Sequence, residues 1–132
     1  MSLIYVALAH KADKKGADYG IIFPDFPGCF FSGNTLELAL ESAREGIVFH
    51  IEGLLDIGET LPEPTSLEDI KSNLDYKEAT PSLIRVIPPT GHLKRLNISM
   101  DAGLVAEIDH AARLAGQNRS EFLSEAARQL IA

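Results

Sequence analysis

Leu93-Lys94-Arg95-Leu96-Asn97-Ile98-Ser99-Met100 is the stretch on which the reading of this chain turns. Strand alternation puts Leu96, Ile98 and Met100 on one face, and Arg95, Asn97 and Ser99 on the other. Two short amphipathic helices are expected to follow. Asp101 caps the first, whose apolar stripe is Leu104, Val105, Ile108, Ala111, Ala112 and Ala115, and Gly116 ends it. Ser120 is expected to cap the second, with Phe122, Leu123, Ala126, Ala127 and Leu130 along one side. One strand and two narrow stripes bury too little surface for a module of about 40 residues to stand alone. A second copy is needed, with Leu96, Ile98 and Met100 as the dimerisation contacts. Two such strands paired antiparallel make a ribbon narrow enough to enter the major groove of DNA.

The chain ahead of this stretch has a different charge. Residues 1–90 hold 7 basic and 14 acidic side chains and residues 91–132 hold 5 of each, so the net −7 belongs wholly to the front part. An acidic body suits a basic partner, whereas Lys94, Arg95 and Arg119 sit where the tail would touch nucleic acid. The single cysteine, Cys29, rules out an internal disulfide and fits a reducing compartment, so a cytoplasmic location is expected. No apolar run approaches the length of a bilayer span and no signal-like segment is present, so no membrane association is expected.

In the front part, Leu3–His10 reads as a strand, Lys11–Asp18 as a polar hairpin loop and Tyr19–Phe23 as a second strand. Pro27-Gly28 has the chemistry of a type II turn, and Cys29–Ser32 makes a third strand. Asn34, with Glu37 in capping-box position, is expected to start a helix. Its apolar face is Leu36, Ala39, Leu40, Ala43, Ile47 and Ile51, and Gly53 is the expected stop. Ser66 caps a short helix through Lys71, and Ser82–Ile87 is a fourth strand before the linker Pro88-Pro89-Thr90-Gly91. The predicted fold class is α+β: a small antiparallel sheet with one packed helix (β-β-β-α-β) over residues 1–88, then the strand-helix-helix module over 92–132.

The chemistry of the tail is that of recognition. Arg95 can bind guanine O6/N7 and Asn97 can pair with adenine N6/N7. Asn118, Arg119 and Ser120 stand where helix-end amides and a cation can meet one phosphate. Elsewhere, Cys29 lies among Phe26, Phe30 and Phe31 with no histidine tied to it, which is the setting of a core thiol. His10, His50, His92 and His110 lack the spacing of a metal site. Asp18, Asp25, Glu37 and Glu41 could in principle serve a two-metal nuclease, but Glu37 and Glu41 read better as solvated helix charge. No catalytic residue, metal or cofactor is expected.

The order strand, Asp cap, helix, Gly stop, Asn-Arg-Ser, helix over Leu93–Ala132 resembles the ribbon-helix-helix family of DNA-binding dimers. That resemblance implies Arg95, Asn97 and Ser99 as base readers, Lys94 as a backbone contact, and the start of the second helix as a phosphate anchor. The body carries a second resemblance. Asp25-Phe26-Pro27-Gly28-Cys29, Ser32-Gly33-Asn34-Thr35-Leu36-Glu37, Ala39-Leu40-Glu41-Ser42-Ala43-Arg44-Glu45 and Leu61-Pro62-Glu63-Pro64-Thr65-Ser66 are similar to the N-terminal domain of HicB-type antitoxins. The family implies a reduced RNase H-like sheet lacking the nuclease carboxylates, which occludes a small basic mRNA-cleaving toxin, HicA. The dimeric tail is expected to bind an operator in the chain's own promoter, an inverted repeat by dimer symmetry, with the chain a homodimer or, if the bodies also self-associate, a tetramer. Tyr19, Asp25, Phe26 and Phe30 near the Pro-Gly turn are the expected toxin contacts. Two other readings stay open at this point: a repressor whose body senses a ligand or drives assembly, and a divergent RNase H-like nuclease.

Overall fold

The computed structural model describes residues 2–11 and 18–131, and the chain divides into two compact units, Met1–Pro89 and Thr90–Ala132. In the first unit, β1 (Leu3–Lys11), β2 (Tyr19–Ile22), β3 (Phe30–Gly33) and β4 (Thr80–Val86) form an antiparallel sheet in the order β3-β2-β1-β4. Leu8 of β1 sits opposite Ile22 of β2 and Pro81 of β4. Apart from its two ends, the hairpin loop expected over Lys11–Asp18 lies outside the described residues.

Helix α1 (Leu36–Asp56) lies on one face of the sheet. Its Ala39, Ala43, Ile47 and Ile51 pack with Tyr5, Ala7, Ala9, Ile21, Phe23, Phe26, Ile84 and Val86. The alternation of β1 and its register with β4 put Tyr5, Ala7 and Ala9 on this side. The small residues Ala39 and Ala43 let the helix approach closely. At Gly46 the approach is closest: a Cβ there would overlap the ring of Phe31.

The other face of the sheet is covered too, which corrects the one-helix arrangement. Val6 and Leu8 are buried against Ile70 of α2 (Leu67–Lys71), with Leu67, Tyr76, Ala79 and Ile22 around them. A 3-10 turn over Leu74–Tyr76, with no clear signal in the sequence, helps form this second layer.

Several element ends differ from expectation for identifiable reasons. The N-cap of α1 is Thr35, whose side chain accepts from the Leu38 amide at 3.2 Å, so Asn34 stands one residue too early and Glu37 lies within the first turn. The helix runs through Gly53 to Asp56. It ends at Gly58 (φ 81°), with Glu59 N–H donating to Leu54 O and Gly58 N–H to Leu55 O, a Schellman closure. The Pro27-Gly28 turn is as expected: Gly28 has φ 90° and Cys29 N–H donates to Phe26 O at 3.1 Å. Ser66 caps α2 by accepting from the Asp69 amide.

In the second unit, α3 (Ala102–Leu114) is capped by Asp101, which accepts from the Leu104 amide at 3.0 Å. It closes at Gly116 (φ 69°) with the same Schellman pair of bonds. Helix α4 (Arg119–Ile131) starts from Asn118, not Ser120, which lies inside the first turn. In the single chain, residues 93–100 pair with no strand among the described residues.

Two glycines of α1 give a paired test. Gly46→Ala must displace the Phe31 ring and is expected to lose about 1–3 kcal/mol in urea unfolding. Gly53→Ala, where a Cβ meets nothing within 4 Å, is expected to gain roughly 0.5–1 kcal/mol from helix propensity. Equal effects at the two positions would contradict the close helix–sheet contact.

Candidate functional site

The tail unit is built from little buried surface. Ile108 and Ala112 of α3 are its buried residues, whereas Phe122 and Leu123 of α4 are only half-buried and Ala126, Ala127 and Leu130 face water. Ahead of them Leu96, Ile98 and Met100 are 68%, 64% and 37% exposed. The expected dimerisation contacts are therefore uncovered in the single chain. Arg95, Asn97, Ser99 and Lys94 are exposed on the same extended segment. Where this segment meets α4, Ile98, Ser99, Met100, Val105, Arg119 and Leu123 line a shallow hollow.

The start of α4 is internally tied. Asn118 Oδ1 accepts from the Glu121 amide at 2.9 Å, and Glu121 Oε2 accepts from the Asn118 amide at 3.0 Å, a reciprocal capping box. The signal for it, Asn-x-x-Glu at 118–121, is plain in the sequence. In the same turn the amides of Arg119 and Ser120 stand too early in the helix to have an intrahelical acceptor. The Arg119 guanidinium reaches back to α3, with Nε donating to Asp109 Oδ1 at 2.9 Å and Nη2 to Oδ2 at 2.8 Å. The pair is solvent-exposed, so it contributes little to stability and acts chiefly on geometry. Arg119 holds the Asp109 carboxyl below its ordinary range through hydrogen bonds and charge.

In the body, the four residues expected to contact a toxin do not form one patch. Phe26 is a core residue, 3% exposed, edge-on to Tyr5 at 4.7 Å between ring centres and to His50 at 5.8 Å. Asp25 is a clamp: its carboxylate accepts from the Thr65 amide at 3.0 Å and from Thr65 Oγ1 at 2.5 Å. Close by, Tyr5 Oη donates to Pro62 O at 2.7 Å. Burial, and then Asp25 and Glu63, push the Tyr5 hydroxyl's pKa up. These bonds fasten the Pro-rich loop to the Pro-Gly turn. Tyr19 points to the α1 side of the sheet and Phe30 to the opposite side, by the registers of β2 with β1 and β3. Phe30 is 60% exposed, with its ring beside His10 above Gly20.

Helix α1 carries the strongest surface feature of the body. Helical spacing lines up Glu37, Glu41, Glu45, Glu52 and Asp56 on its exposed side, with Phe49 (79% exposed) and Leu38 among them. Glu37, Glu41 and Glu45 repel one another at i,i+4 spacing, and Asp56 opposes the helix dipole. Such a helix face sacrifices local stability. In the sequence Glu37 and Glu41 read as ordinary solvated charge. The signal beyond that reading is Phe49, an aromatic residue outside the apolar stripe, standing between them and Glu52.

Comparison with known proteins gives concordant results. Residues 5–127 match the model of a family described as HicB_like antitoxin of bacterial toxin-antitoxin system. An uncharacterised 14.9 kDa protein of Haemophilus phage HP1, encoded in its rep-hol intergenic region, is 36% identical over 119 residues, 87% of this chain and 90% of its own length. The crystal structure of antitoxin HicB from Burkholderia pseudomallei is similar over 98% of this chain and 99% of its own, with a TM-score of 0.61 and 28% identity. A chain of the HicA3 and HicB3 toxin-antitoxin complex matches 66% of this chain and 99% of its own, with a TM-score of 0.50 and 31% identity.

The Arg119–Asp109 pair makes a titration prediction. Because the folded-state value of Asp109 is lowered, the pair's contribution is present above the ordinary carboxylate value of 3.8 and is lost as pH falls through the lowered one. The Asp109 carboxyl carbon followed by NMR should titrate below 3.8, and Arg119→Ala should bring it back up. An unchanged midpoint in that variant would show that the pair does not persist in solution.

Proposed function

The chain belongs to the HicB-like antitoxin family, and we propose that it neutralises a small basic HicA-like toxin with its body and represses its own operon with its tail. Neutralisation is by occlusion: the body covers the toxin's RNA-binding surface and performs no chemistry of its own. An acidic surface raises the rate and selectivity of that encounter, and the outer side of α1, with Phe49 as an apolar anchor among carboxylates, is the surface of the body best suited to it. Phe30 and Tyr19, on opposite sides of the sheet, are secondary candidates.

For the tail, the reading is a ribbon-helix-helix module spanning residues 92–132. The observation that carries it is the exposed apolar row of Leu96, Ile98 and Met100 on a segment that pairs with no strand among the described residues. A second copy would pair the backbone, cover the row and complete the core over Phe122 and Leu123. Pairing would leave Arg95, Asn97 and Ser99 on the outer side as base readers. Lys94 and the start of α4 (Asn118, Arg119 and Ser120) would lie against phosphates. A two-fold dimer of this kind reads an inverted repeat.

Co-expression of the chain with the small gene beside its own tests the first half. A stoichiometric complex in which the neighbour's RNA cleavage is silenced is the expected outcome, and an active or unbound neighbour would refute neutralisation. For the second half, Arg95→Ala should weaken binding to promoter DNA by about 1–3 kcal/mol and relax one base preference while leaving toxin binding intact. Ile98→Asp buries a charge at the centre of the ribbon. It should leave the tail monomeric in sedimentation, and a persistent tail dimer would rule out the ribbon.

A further inference from the structure

Arg119 is long and exposed, yet it is held. Its two hydrogen bonds to Asp109 are parallel and side-on, through Nε at 2.9 Å and Nη2 at 2.8 Å. A guanidinium has five N–H donors in one plane, so this grip fixes the orientation of the plane and leaves three donors directed away from Asp109, one on Nη2 and two on Nη1. That side chain also lines the hollow beside Ile98, Ser99 and Met100. Asp109 itself lies on α3, outside the extended segment and outside the capping box.

We infer that Asp109 is a positioning residue for duplex DNA, holding Arg119 so that its remaining donors meet one backbone phosphate at the start of α4. The inference rests on the DNA-binding reading proposed above and adds a residue and a purpose to it. A loose arginine follows a phosphate in any register of protein on DNA. A held one meets it only in the register that also seats Arg95, Asn97 and Ser99 against base edges. The Asp109 carboxylate repels phosphate approaching from its own side, which penalises the other registers. Asp109 thus lowers general affinity and raises discrimination, an unexpected task for an acidic side chain near DNA.

The test uses the full chain, a duplex from upstream of its own coding region and a scrambled duplex of equal length, each titrated over a range of salt. Asp109→Ala should tighten binding to the scrambled duplex and lower the ratio of the two affinities severalfold, the scale open to one solvent-exposed ion pair. Asp109→Glu, which keeps a carboxylate within reach, should restore most of the ratio. Arg119→Ala should lower the salt slope by about one for each phosphate that Arg119 neutralises. Its effect on the ratio should be much smaller in the Asp109→Ala background, because the first change has already released the arginine. An unchanged ratio in Asp109→Ala, or additive effects of the two substitutions, would overturn the inference while leaving DNA binding standing. Binding of neither duplex by the unaltered protein would overturn the DNA-binding reading, equal binding of both would overturn its operator specificity, and this inference would fall with either.

Discussion

Between Tyr5 and Ala9, β1 has no side turned to water, and the first unit is organised around that condition. A strand buried on both sides needs two covers. Helix α1 supplies one over Tyr5, Ala7 and Ala9, and α2 with its 3-10 turn supplies the other over Val6 and Leu8. Burying Tyr5 brings a hydroxyl into the interior, and the Pro62 carbonyl accepts its hydrogen bond. The Asp25–Thr65 bonds hold the loop that presents that carbonyl. Turn, loop and both helices are thus consequences of one doubly covered strand.

The second unit obeys the opposite condition. It is well capped, by Asp101 on α3 and by Asn118 with Glu121 on α4, but it has little inside. Caps define where helices begin, whereas buried area decides whether they stay packed. A unit with good caps and an uncovered apolar row is specified locally but packs little of its own surface, which is the condition that the proposed dimer would meet. The division of labour proposed for the two units follows from this difference. The body folds around its own core and offers a surface, whereas the tail, as a single chain, leaves Leu96, Ile98 and Met100 exposed.

Much of this is readable from residues alone, and the failures have physical causes. The four strands, the main helix and its inward face are legible because their apolar periods are strong, and Pro27-Gly28 because few turns accept that pair. The start of α1 is ambiguous between Asn34 and Thr35, adjacent residues that both make good caps, and the structure uses the second. Gly53 looks like a stop because a glycine lowers helix propensity, but tertiary packing at Ile47 and Ile51 carries the helix past it. The second cover of the sheet is foreshadowed by the unbroken apolar run from Tyr5 to Ala9, which does not alternate as a one-sided strand would. The surroundings of the Pro-Gly turn are illegible for another reason. Nearness in sequence does not reveal the face of a strand to which a ring points, and Tyr19 and Phe30 point opposite ways.

The carboxylates along the outer side of α1 also set how the molecule responds to its ionic surroundings. Their mutual repulsion is a destabilising field that dissolved ions screen within about 10 Å at 0.1 M salt. Added salt therefore relaxes this helix and steadies the free body, while it weakens any attraction that the same carboxylates exert on a basic surface. The two effects have a common origin and opposite signs. Low ionic strength favours the engaged state twice over, by strengthening the pull on a cationic surface and by making the unneutralised helix costlier to keep alone.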